Sequence, residues 1–423
     1  MRVDVAVVGA GPAGIAAAVR ASEVGARVVV LDESPRPGGQ IWRHRAGGYV
    51  PAAARRWLDR LAGSSATVLA GRSVIDVVAV DGGFALGIEG ADAPRTVHAR
   101  TVVLATGARE RFLPFPGWTL PGVAGIGGVQ ALLKAGTSFD GKRAVLAGSG
   151  PLLLPVAAAL RSAGARVLLV AEQAPFARVA AFGAGLWRRP RAIVEAARYR
   201  SGFLGTPYRT GTWVVEAHGD GALRSVVVTD GRTRRTIECD VLGTGYGLVP
   251  STELARLLGC ETRDGLVVVD AAQGTTVPGV YCAGEPTGVG GVDLALVEGE
   301  IAGLQAASTG AAPQDGALRA QRGRLRALAG AMDRAFAPRP ELRALATPDT
   351  IVCRCEDVRL GAIDPAWAPR QAKLYTRAGM GPCQGRICGA ALEHLCGWPA
   401  DTVRPPTAPT SFASLLAETA PGA

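Results

Sequence analysis

Lysine is almost absent from this sequence. Only Lys134, Lys142 and Lys373 occur among 46 basic residues, so arginine supplies nearly all of the formal net charge of +10. A surplus of arginine beside abundant alanine and glycine is typical of a GC-rich coding sequence. Aromatic residues make up 5% of the chain, and no basic stripe is interleaved with stacking aromatics. The sequence therefore predicts no nucleic-acid partner.

Long apolar runs are also missing. Residues 3–19 are apolar enough to suggest a signal peptide, but Asp4 and the glycine turn interrupt them and no cleavage site follows. No stretch is long enough to be a transmembrane segment, so we expect a cytoplasmic protein, membrane-associated at most through a complex. In that compartment the eight cysteines are expected to bind metal or to be buried instead of forming disulfides.

Histidine is scarce as well. His44, His98, His218 and His394 are scattered without a partner pattern for acid–base catalysis. Each is expected to be a surface or hydrogen-bonded residue. The sequence therefore predicts no catalytic residue on this chain.

What is present is organised around residues 2–40. An apolar run at 3–8 predicts a buried parallel strand, and three glycines follow it at the spacing of the first turn of a dinucleotide-binding fold. A helix over 16–26 and a strand over 28–31 complete a βαβ unit. The glycines allow a tight turn, close approach of a pyrophosphate and close packing of the helix. They are Gly9, Gly11 and Gly14, and the predicted site includes Pro12 and Ala13.

Two acids and a second glycine turn follow that strand. Asp32 and Glu33 are the carboxylates expected to hold a ribose hydroxyl, and Glu33 lies 19 residues after Gly14, as that geometry requires. The turn GGQ at 38–40 is more typical of flavin sites than of nicotinamide sites, and it adds Gly39 and Gln40 to the site. Strand, glycines, helix, strand and acid in this order predict dinucleotide binding.

The same plan recurs later in the chain. The turn at 9–12 recurs at 148–151 and Glu33 recurs as Glu172, both offset by 139 residues, and the strand ending at 103–107 recurs at 241–245. One chain therefore carries two nucleotide-binding folds. In the second, Leu153 replaces the third glycine and should hold the helix away from the sheet. NAD(P), another nucleotide and a structural remnant stay open for this site, whose predicted residues are Gly148, Gly150, Pro151, Leu152 and Glu172.

A short strand ending in glycine and acid occurs at 279–285, and a helix over 294–306 follows a glycine-rich turn. In two-dinucleotide flavoproteins, which the chain resembles, such a segment returns to the first domain. In those proteins its acid binds the ribityl chain of the flavin, and the resemblance implies that role for Glu285, which stands in place of the usual Asp. Gly284, Gly291 and Val292 are expected to join the site. We expect an FAD domain at 1–114 and 246–308, a second nucleotide-binding domain at 115–245, a helical linker at 309–347, a cysteine module at 348–396 and a tail at 397–423.

Four of the cysteines form two close pairs, CRC at 353–355 and CQGRIC at 383–388. Four thiols in this arrangement suit a tetrahedral metal or a [2Fe-2S] cluster, because each pair can hold one iron. Zinc is the alternative, but zinc usually takes CxxC pairs, and a flavin on the same chain could exchange electrons with a cluster. A helix start at Gln384 would offset the cluster's negative charge. The predicted cluster ligands are Cys353, Cys355, Cys383 and Cys388, and the predicted core cysteines are Cys239, Cys260 and Cys282.

Several stretches together resemble one known family. It comprises the FAD- and [2Fe-2S]-containing subunits of bacterial heteromeric dehydrogenases, such as those of hydrogen cyanide synthase and opine oxidase and the alpha subunit of D-hydroxyproline dehydrogenase. The resemblance covers nearly the whole chain. The stretches are TVVLATGARERFLPFPGW at 101–118, GSGPLLLP at 148–155, GYGLVPSTELARLLGC at 245–260, GVYCAGEPTGVGGVDLALVEG at 279–299, CRCEDV at 353–358 and TRAGMGPCQGRIC at 376–388.

The resemblance implies an α/β fold with two nested Rossmann-like domains, as in thioredoxin reductase, and a small helical module of the bacterioferritin-associated-ferredoxin type. It adds Thr106 and Gly107 to the FAD contacts. Similar proteins work beside a glycine-oxidase-like flavoprotein subunit that binds and oxidises the substrate, and often beside a small ferredoxin-like [2Fe-2S] subunit. Two prolines, Pro365 and Pro369, should shorten a helix of the cysteine module. Leu153 fits the family's GPLLL pattern, so nicotinamide reduction need not belong to this family.

Redox-active cysteine pairs are missing from both nucleotide folds. No pair follows GGQ or lies near the second glycine turn, so disulfide reductase chemistry has no thiols to use. We therefore expect an electron-relay subunit, which passes electrons through FAD and [2Fe-2S] while a partner oxidises an amine, amino acid, imino acid or opine. Two alternatives stay open: a self-sufficient NAD(P)H-dependent reductase that uses a separate carrier, and a metal-stabilised scaffold without catalysis.

Overall fold

The structure, a computed structural model, describes residues 1–44, 48, 50–90, 95–188, 190–310, 313–398 and 402–417. The chain divides into two compact units, one of 1–109, 250–330 and 402–423 and one of 110–249 and 331–401. The cysteine module thus belongs to the second unit, together with the second nucleotide-binding fold. None of the described helices is both long and apolar enough to cross a lipid bilayer.

The elements are numbered in chain order. The strands are β1 (Arg2–Val8), β2 (Val28–Asp32), β3 (Thr67–Ala70), β4 (Ser73–Val80), β5 (Gly83–Glu89), β6 (Thr96–Leu104), β7 (Ala108–Glu110), β8 (Val123–Gly125), β9 (Arg143–Gly148), β10 (Arg166–Glu172), β11 (Tyr208–Thr210), β12 (Trp213–His218), β13 (Ser225–Thr229), β14 (Arg234–Glu238), β15 (Val241–Gly245), β16 (Leu248–Pro250), β17 (Thr262–Arg263), β18 (Leu266–Val267), β19 (Val280–Cys282), β20 (Ile351–Cys353) and β21 (Val358–Arg359). The α-helices are α1 (Pro12–Glu23), α2 (Ala52–Ala62), α3 (Ile126–Ala135), α4 (Leu153–Ser162), α5 (Phe176–Gly185), α6 (Pro190–Ser201), α7 (Glu253–Leu257), α8 (Val292–Ala307), α9 (Gly316–Ala335), α10 (Pro369–Thr376), α11 (Cys388–Cys396) and α12 (Phe412–Ala417).

The core of the first unit is a sheet with the strand order β3-β2-β1-β6-β5-β4, and β19 also pairs with β6. Strand β1 lies between β2 and β6 and is parallel to both, and β19 is parallel to β6. Strand β1 is mostly apolar and buried, because a central parallel strand is covered on both faces. The segment 279–285 therefore contributes a strand to the sheet that carries the first glycine turn.

Helices α1 and α8 pack closely against each other in this unit. A side chain at Gly299 or Gly303 of α8 would overlap the backbone of α1, at Ala13 and Ala17 respectively. Small residues at these positions let the two helices approach. The start of α1 is thereby fixed against α8, which follows the segment 279–285.

The second unit repeats the plan with a parallel sheet in the order β11-β10-β9-β15-β8 and a separate antiparallel sheet of β12, β13 and β14. Its glycine turn follows Gly148, the last residue of β9. Pro151 and Leu152 form a turn, and α4 begins only at the buried Leu153, whereas α1 begins at Pro12. The second fold thus accommodates leucine in place of the third glycine by starting its helix later.

The cysteine module has a small core of its own. Strands β20 and β21 form an antiparallel pair, and Val352, Cys353, Ala372 and Leu392 are among the residues of its apolar core. Pro369 is the first residue of the eight-residue helix α10, a position that proline favours. The shortening of a helix by Pro365 and Pro369 stays a prediction.

Candidate functional site

The first glycine turn joins β1 to α1 and is shaped for close approach. A side chain at Gly14 would overlap the carbonyl oxygen of Gly9, so the helix can start this close to the strand only with glycine. In contrast, a side chain at Gly11 would meet no protein atom within 4 Å. Pro12 and Ala13 begin α1, whose first N–H groups have no partner within the helix. Open space beside a positive helix end is the environment that a pyrophosphate needs.

Asp32 and Glu33 follow each other at the end of β2 but have different surroundings. Asp32 is buried, and its carboxylate accepts from the N–H groups of Ala10 and Ser34, the latter at 2.7 Å. Each carboxylate oxygen retains a lone pair for a further donor. Glu33 is exposed. Asp32 thus holds the glycine turn and can also accept a hydroxyl, and both acids stay candidate ribose ligands.

The GGQ turn lies against the first glycine turn. The N–H of Gly38 donates to the carbonyl oxygen of Ala10 at 2.8 Å, and a side chain at Gly39 would lie 2.9 Å from the Cα of Gly11. Gln40 is exposed next to this contact. Two turns that are separate in the sequence therefore form one surface.

Thr106 and Gly107 follow β6, the neighbour of β1. The Thr106 hydroxyl donates to the carbonyl oxygen of Ser251 at 2.6 Å, and the N–H of Ser251 donates to the carbonyl oxygen of Gly107 at 2.9 Å. A side chain at Gly9 would overlap the carbonyl oxygen of Ala105. The carboxyl ends of β1 and β6 thus meet at one edge of the sheet, where ligands bind in open α/β sheets.

A buried carboxylate that the sequence analysis missed holds the loop of Gly284 and Glu285. Glu298 on α8 is completely buried, and its Oε2 accepts from the N–H of Gly284 and the hydroxyl of Thr287, both at 3.0 Å. Its Oε1 pairs with Nη2 of Arg326 at 2.6 Å. An acid inside the otherwise apolar stretch 294–299 (LALVEG) is the signal that could have found it, since buried charges are paired.

Glu285 begins the turn that Glu298 holds. Burial raises the pKa of Glu285 above its ordinary value, and the Glu298 carboxylate acts in the same direction. Helix α8 begins at Val292, after Gly291 in the left-handed region with φ 80°. The structure thus brings the predicted residues of 284–292 between β19 and the positive N-terminal end of α8.

The expected match of Glu172 in the second fold to Glu33 in the first is wrong. Oε2 of Glu172 accepts from the N–H of Gly150, and Oε1 accepts from the N–H of Ala174, both at 2.7 Å. This is the pattern of Asp32, and not of Glu33, because Asp32 and Glu172 both end their strands. Glu172 is completely buried, and burial raises its pKa to about 7, against the effect of the two N–H donors.

The four paired cysteines line one cavity in the second unit. The cavity has a volume of about 160 Å³. Among the described residues, no group of three or more His, Cys, Asp or Glu side chains is arranged to hold a single metal ion. The structure therefore brings the predicted ligands together without showing a metal site. The lining residues are Phe112, Trp118, Cys353, Arg354, Cys355, Cys383, Ile387 and Cys388.

The four thiols differ in exposure and contact one another in pairs. Cys353 and Cys388 are buried, Cys383 is half-buried and Cys355 is exposed. The thiols of Cys355 and Cys383 are in contact, as are those of Cys353 and Cys388. Each contact joins one cysteine of CRC to one of CQGRIC. The long segment between the two motifs therefore folds back to bring them together.

The backbone around the cavity is tightly constrained. A side chain at Gly381 would overlap the Cβ of Cys355. Burial would raise the pKa of the Cys383 thiol, but the N–H groups of 385–387 and the contact with Cys355 outweigh it, and the pKa lies below its ordinary value. The indole of Trp118 donates to the carbonyl oxygen of Ile351 at 2.6 Å, which anchors the aromatic wall to β20.

The predicted helix start at Gln384 is wrong. Residues 382–387 form turns, and Gln384 has φ 51°, in the left-handed region that an α-helix cannot include. Helix α11 begins at Cys388. Turn N–H groups, and not a helix end at Gln384, therefore face the thiol of Cys383.

The prediction of core positions for Cys239, Cys260 and Cys282 is confirmed, since each is buried.

These features define a class of protein: an oxidoreductase with two Rossmann-type folds, of which the first has the paired glycine turns of a flavin site. The chain belongs to the pyridine nucleotide-disulphide oxidoreductase family, which matches residues 3–311. It is 35% identical to an opine oxidase subunit of Agrobacterium tumefaciens (strain Ach5), over 93% of this chain and 85% of that protein. It is also 35% identical to hydrogen cyanide synthase subunit HcnB of Pseudomonas aeruginosa, over 93% of this chain and 94% of that protein.

The solved structures agree on the nucleotide-binding folds. Thioredoxin reductase of T. acidophilum aligns with a TM-score of 0.57 and 27% identity, over 72% of this chain and 97% of that one. The predicted family resemblance and the thioredoxin-reductase-like α/β fold are therefore confirmed. The chain is a flavoprotein oxidoreductase subunit of the FAD-dependent type, and its family uses FAD and pyridine nucleotides.

Proposed function

We propose that this chain is the electron-transferring subunit of a heteromeric flavoprotein dehydrogenase or oxidase, whose partner subunit oxidises an amine, amino acid, imino acid or opine. One observation carries the proposal: a chain with flavin-type glycine turns also has four cysteines that line one cavity. The names of its relatives, subunits of an opine oxidase and of a hydrogen cyanide synthase, support it.

FAD fits the first unit. Gly11 leaves space for the pyrophosphate, Asp32 and Glu33 offer acceptors for the ribose, and Glu285 offers a carboxyl group for the ribityl chain. Glu298 holds the loop of Glu285 in place through the N–H of Gly284. Bound FAD would supply the two-electron chemistry, and these residues would bind and orient it.

A [2Fe-2S] cluster fits the cavity of the second unit. The ligands would be the thiolates of Cys353, Cys355, Cys383 and Cys388, which line the cavity together. The N–H groups of 385–387 lower the pKa of Cys383 and favour the thiolate that a metal requires. Zinc is the competing occupant, but a redox-inactive ion would give the flavin nothing with which to exchange electrons.

The substrate pocket would lie on another polypeptide. We propose a glycine-oxidase-like flavoprotein as the substrate-binding partner, in a cytoplasmic complex that can also contain a small ferredoxin-like [2Fe-2S] subunit. The second candidate function is a self-sufficient NAD(P)H-dependent reductase. The observation that favours it is the second Rossmann-type fold, with its parallel sheet and glycine turn.

Co-expression with the flavoprotein encoded in a neighbouring reading frame tests the proposal. The tagged chain should co-purify with that flavoprotein, and the complex should reduce a dye with glycine, sarcosine, D-proline, hydroxyproline or an opine. Cys353→Ser should abolish dye reduction through this chain, whereas Cys396→Ser, outside the cavity, should retain it. Rapid bleaching of the flavin by NADH in the isolated chain, or no second flavoprotein in the purified complex, would contradict the proposal.

A further inference from the structure

Residues 336–339, which follow helix α9, lie on the second glycine turn. The Ser149 hydroxyl of that turn donates to the carbonyl oxygen of Phe336 at 2.6 Å. The amide of the completely buried Gln173 donates to the carbonyl oxygen of Ala337 at 3.2 Å and accepts from the N–H of Arg339 at 3.1 Å. Ser149 of the turn and Gln173, which follows β10, are therefore bonded to the main chain of the 336–339 segment.

The side chains of this segment are held as well. The ring of Phe336 packs edge-on against Phe182 of α5, with the ring centroids 5.4 Å apart. The guanidinium of Arg339 lies 3.8 Å from the ring centroid of Trp213. The 336–339 segment is thus fixed at both ends by contacts within the second unit.

The two glycine turns differ in what lies beside their second glycine. A side chain at Gly11 of the first turn would meet nothing within 4 Å. A side chain at Gly150 of the second turn would lie 3.9 Å from both the Cβ and the Cγ of Phe336. The chain's own phenylalanine therefore lies at van der Waals distance from the second glycine turn, whereas no protein atom lies that close beside Gly11 of the first.

We infer that the 336–339 segment occupies the dinucleotide cleft of the second fold and excludes the pyrophosphate of NAD(P)H. The fold keeps its strands and its buried acid, Glu172, whose carboxylate accepts from the N–H groups of Gly150 and Ala174. The second fold is therefore a structural element that does not take a nicotinamide donor. The inference concerns this fold alone, and it depends on neither the cysteine cavity nor a partner subunit.

A disulfide test locates the segment. The side-chain position at Gly150 and the Cβ of Phe336 are 3.9 Å apart, within the range of about 3.5–4.5 Å that a disulfide spans. The double variant Gly150→Cys, Phe336→Cys should form this bond on mild oxidation, as identified by mass spectrometry of its peptides. The control pair Gly150→Cys, Phe176→Cys should not form one. Absence of the first disulfide in folded protein would overturn the inference.

Calorimetric titration of the FAD-loaded chain with NADH and with NADPH tests the exclusion. The wild type should show no saturable binding up to about 1 mM, and Phe336→Ala should bind at least tenfold more tightly than that limit. Phe176→Ala, at a residue that is 73% exposed on α5, is the matched control and should behave as the wild type. Saturable binding by the wild type, or no gain in Phe336→Ala, would overturn the inference. If the wild type binds NADH or NADPH without reduction of its flavin, the proposed relay function stays intact. Binding with rapid flavin reduction would count against both the inferred exclusion and the relay function.

Discussion

Replacing Glu298 by Gln tests whether this buried carboxylate holds the loop of Glu285. The change keeps an oxygen for the N–H of Gly284 but removes the charge that faces Arg326 at 2.6 Å and Arg322 at 3.4 Å. Removing one partner of a buried pair costs about 3–5 kcal/mol. We expect the lower end, about 3 kcal/mol, because the two arginine side chains are 27% and 18% exposed and water can solvate them in part.

The melting temperature of the apo-protein should therefore fall by about 6–12 °C, at about 2–4 °C per kcal/mol for a unit of this size. Scanning calorimetry measures this shift, and a fluorescence titration should show weaker FAD binding. The matched control is Glu300→Gln on the same helix, because Glu300 pairs with Arg20 at 3.5 Å and both side chains are partly exposed. Equal melting temperatures for Glu298→Gln and Glu300→Gln would show that Glu298 does not hold the loop of Glu285.

Three further predictions concern glycines of the first glycine turn, a glycine beside the cysteine cavity, and the buried Glu172. Gly11→Val should leave the unfolding of the apo-protein nearly unchanged but abolish FAD binding, whereas Gly14→Ala should destabilise the fold itself by about 1–3 kcal/mol; thermal scans with and without FAD distinguish the two. Gly381→Ala should displace the exposed cavity cysteine and lower the metal content at least twofold, whereas Gly389→Ala, with free space around its side chain, should not, as metal analysis will show. Glu172 should lower the unfolding free energy progressively as the pH rises from about 4.5 to about 7, because burial raises its folded-state pKa to about 7 and this group then binds more protons in the folded state than in the unfolded state. Glu172→Gln should remove this contribution of about 3 kcal/mol, and an unchanged slope in denaturant titrations would contradict the assignment.

Much of the fold could be predicted because apolar runs in the sequence are bounded by glycines and acids. The strand predicted at 3–8 is observed as β1 (Arg2–Val8), and the helix predicted at 294–306 is observed as α8 (Val292–Ala307). Helix α1 begins at Pro12, four residues before the predicted start, because proline is favoured at the first helical position as well as in turns. Local patterns thus predict the elements better than their ends.

The parts of the site that could not be predicted depend on contacts between distant residues. Glu298 is recognisable as a loop-holding residue only once Arg326 and Gly284 are beside it. The 336–339 segment lies almost 190 residues from Ser149, the residue it contacts, and no periodicity encodes that contact. The repeat in the sequence aligns Glu172 with Glu33, because both are glutamate. In the structure Glu172 corresponds to Asp32, because each is the last residue of its strand.

The content of iron, zinc and acid-labile sulfide in the anaerobically purified chain tests most directly whether the chain holds a [2Fe-2S] cluster together with FAD. We expect about two iron ions and two sulfides per chain together with bound FAD, the composition of a [2Fe-2S] cluster on four cysteines. Cys353→Ser should lose the iron and keep the flavin. Zinc in place of iron with no sulfide, or a chain that binds no flavin, would contradict the account.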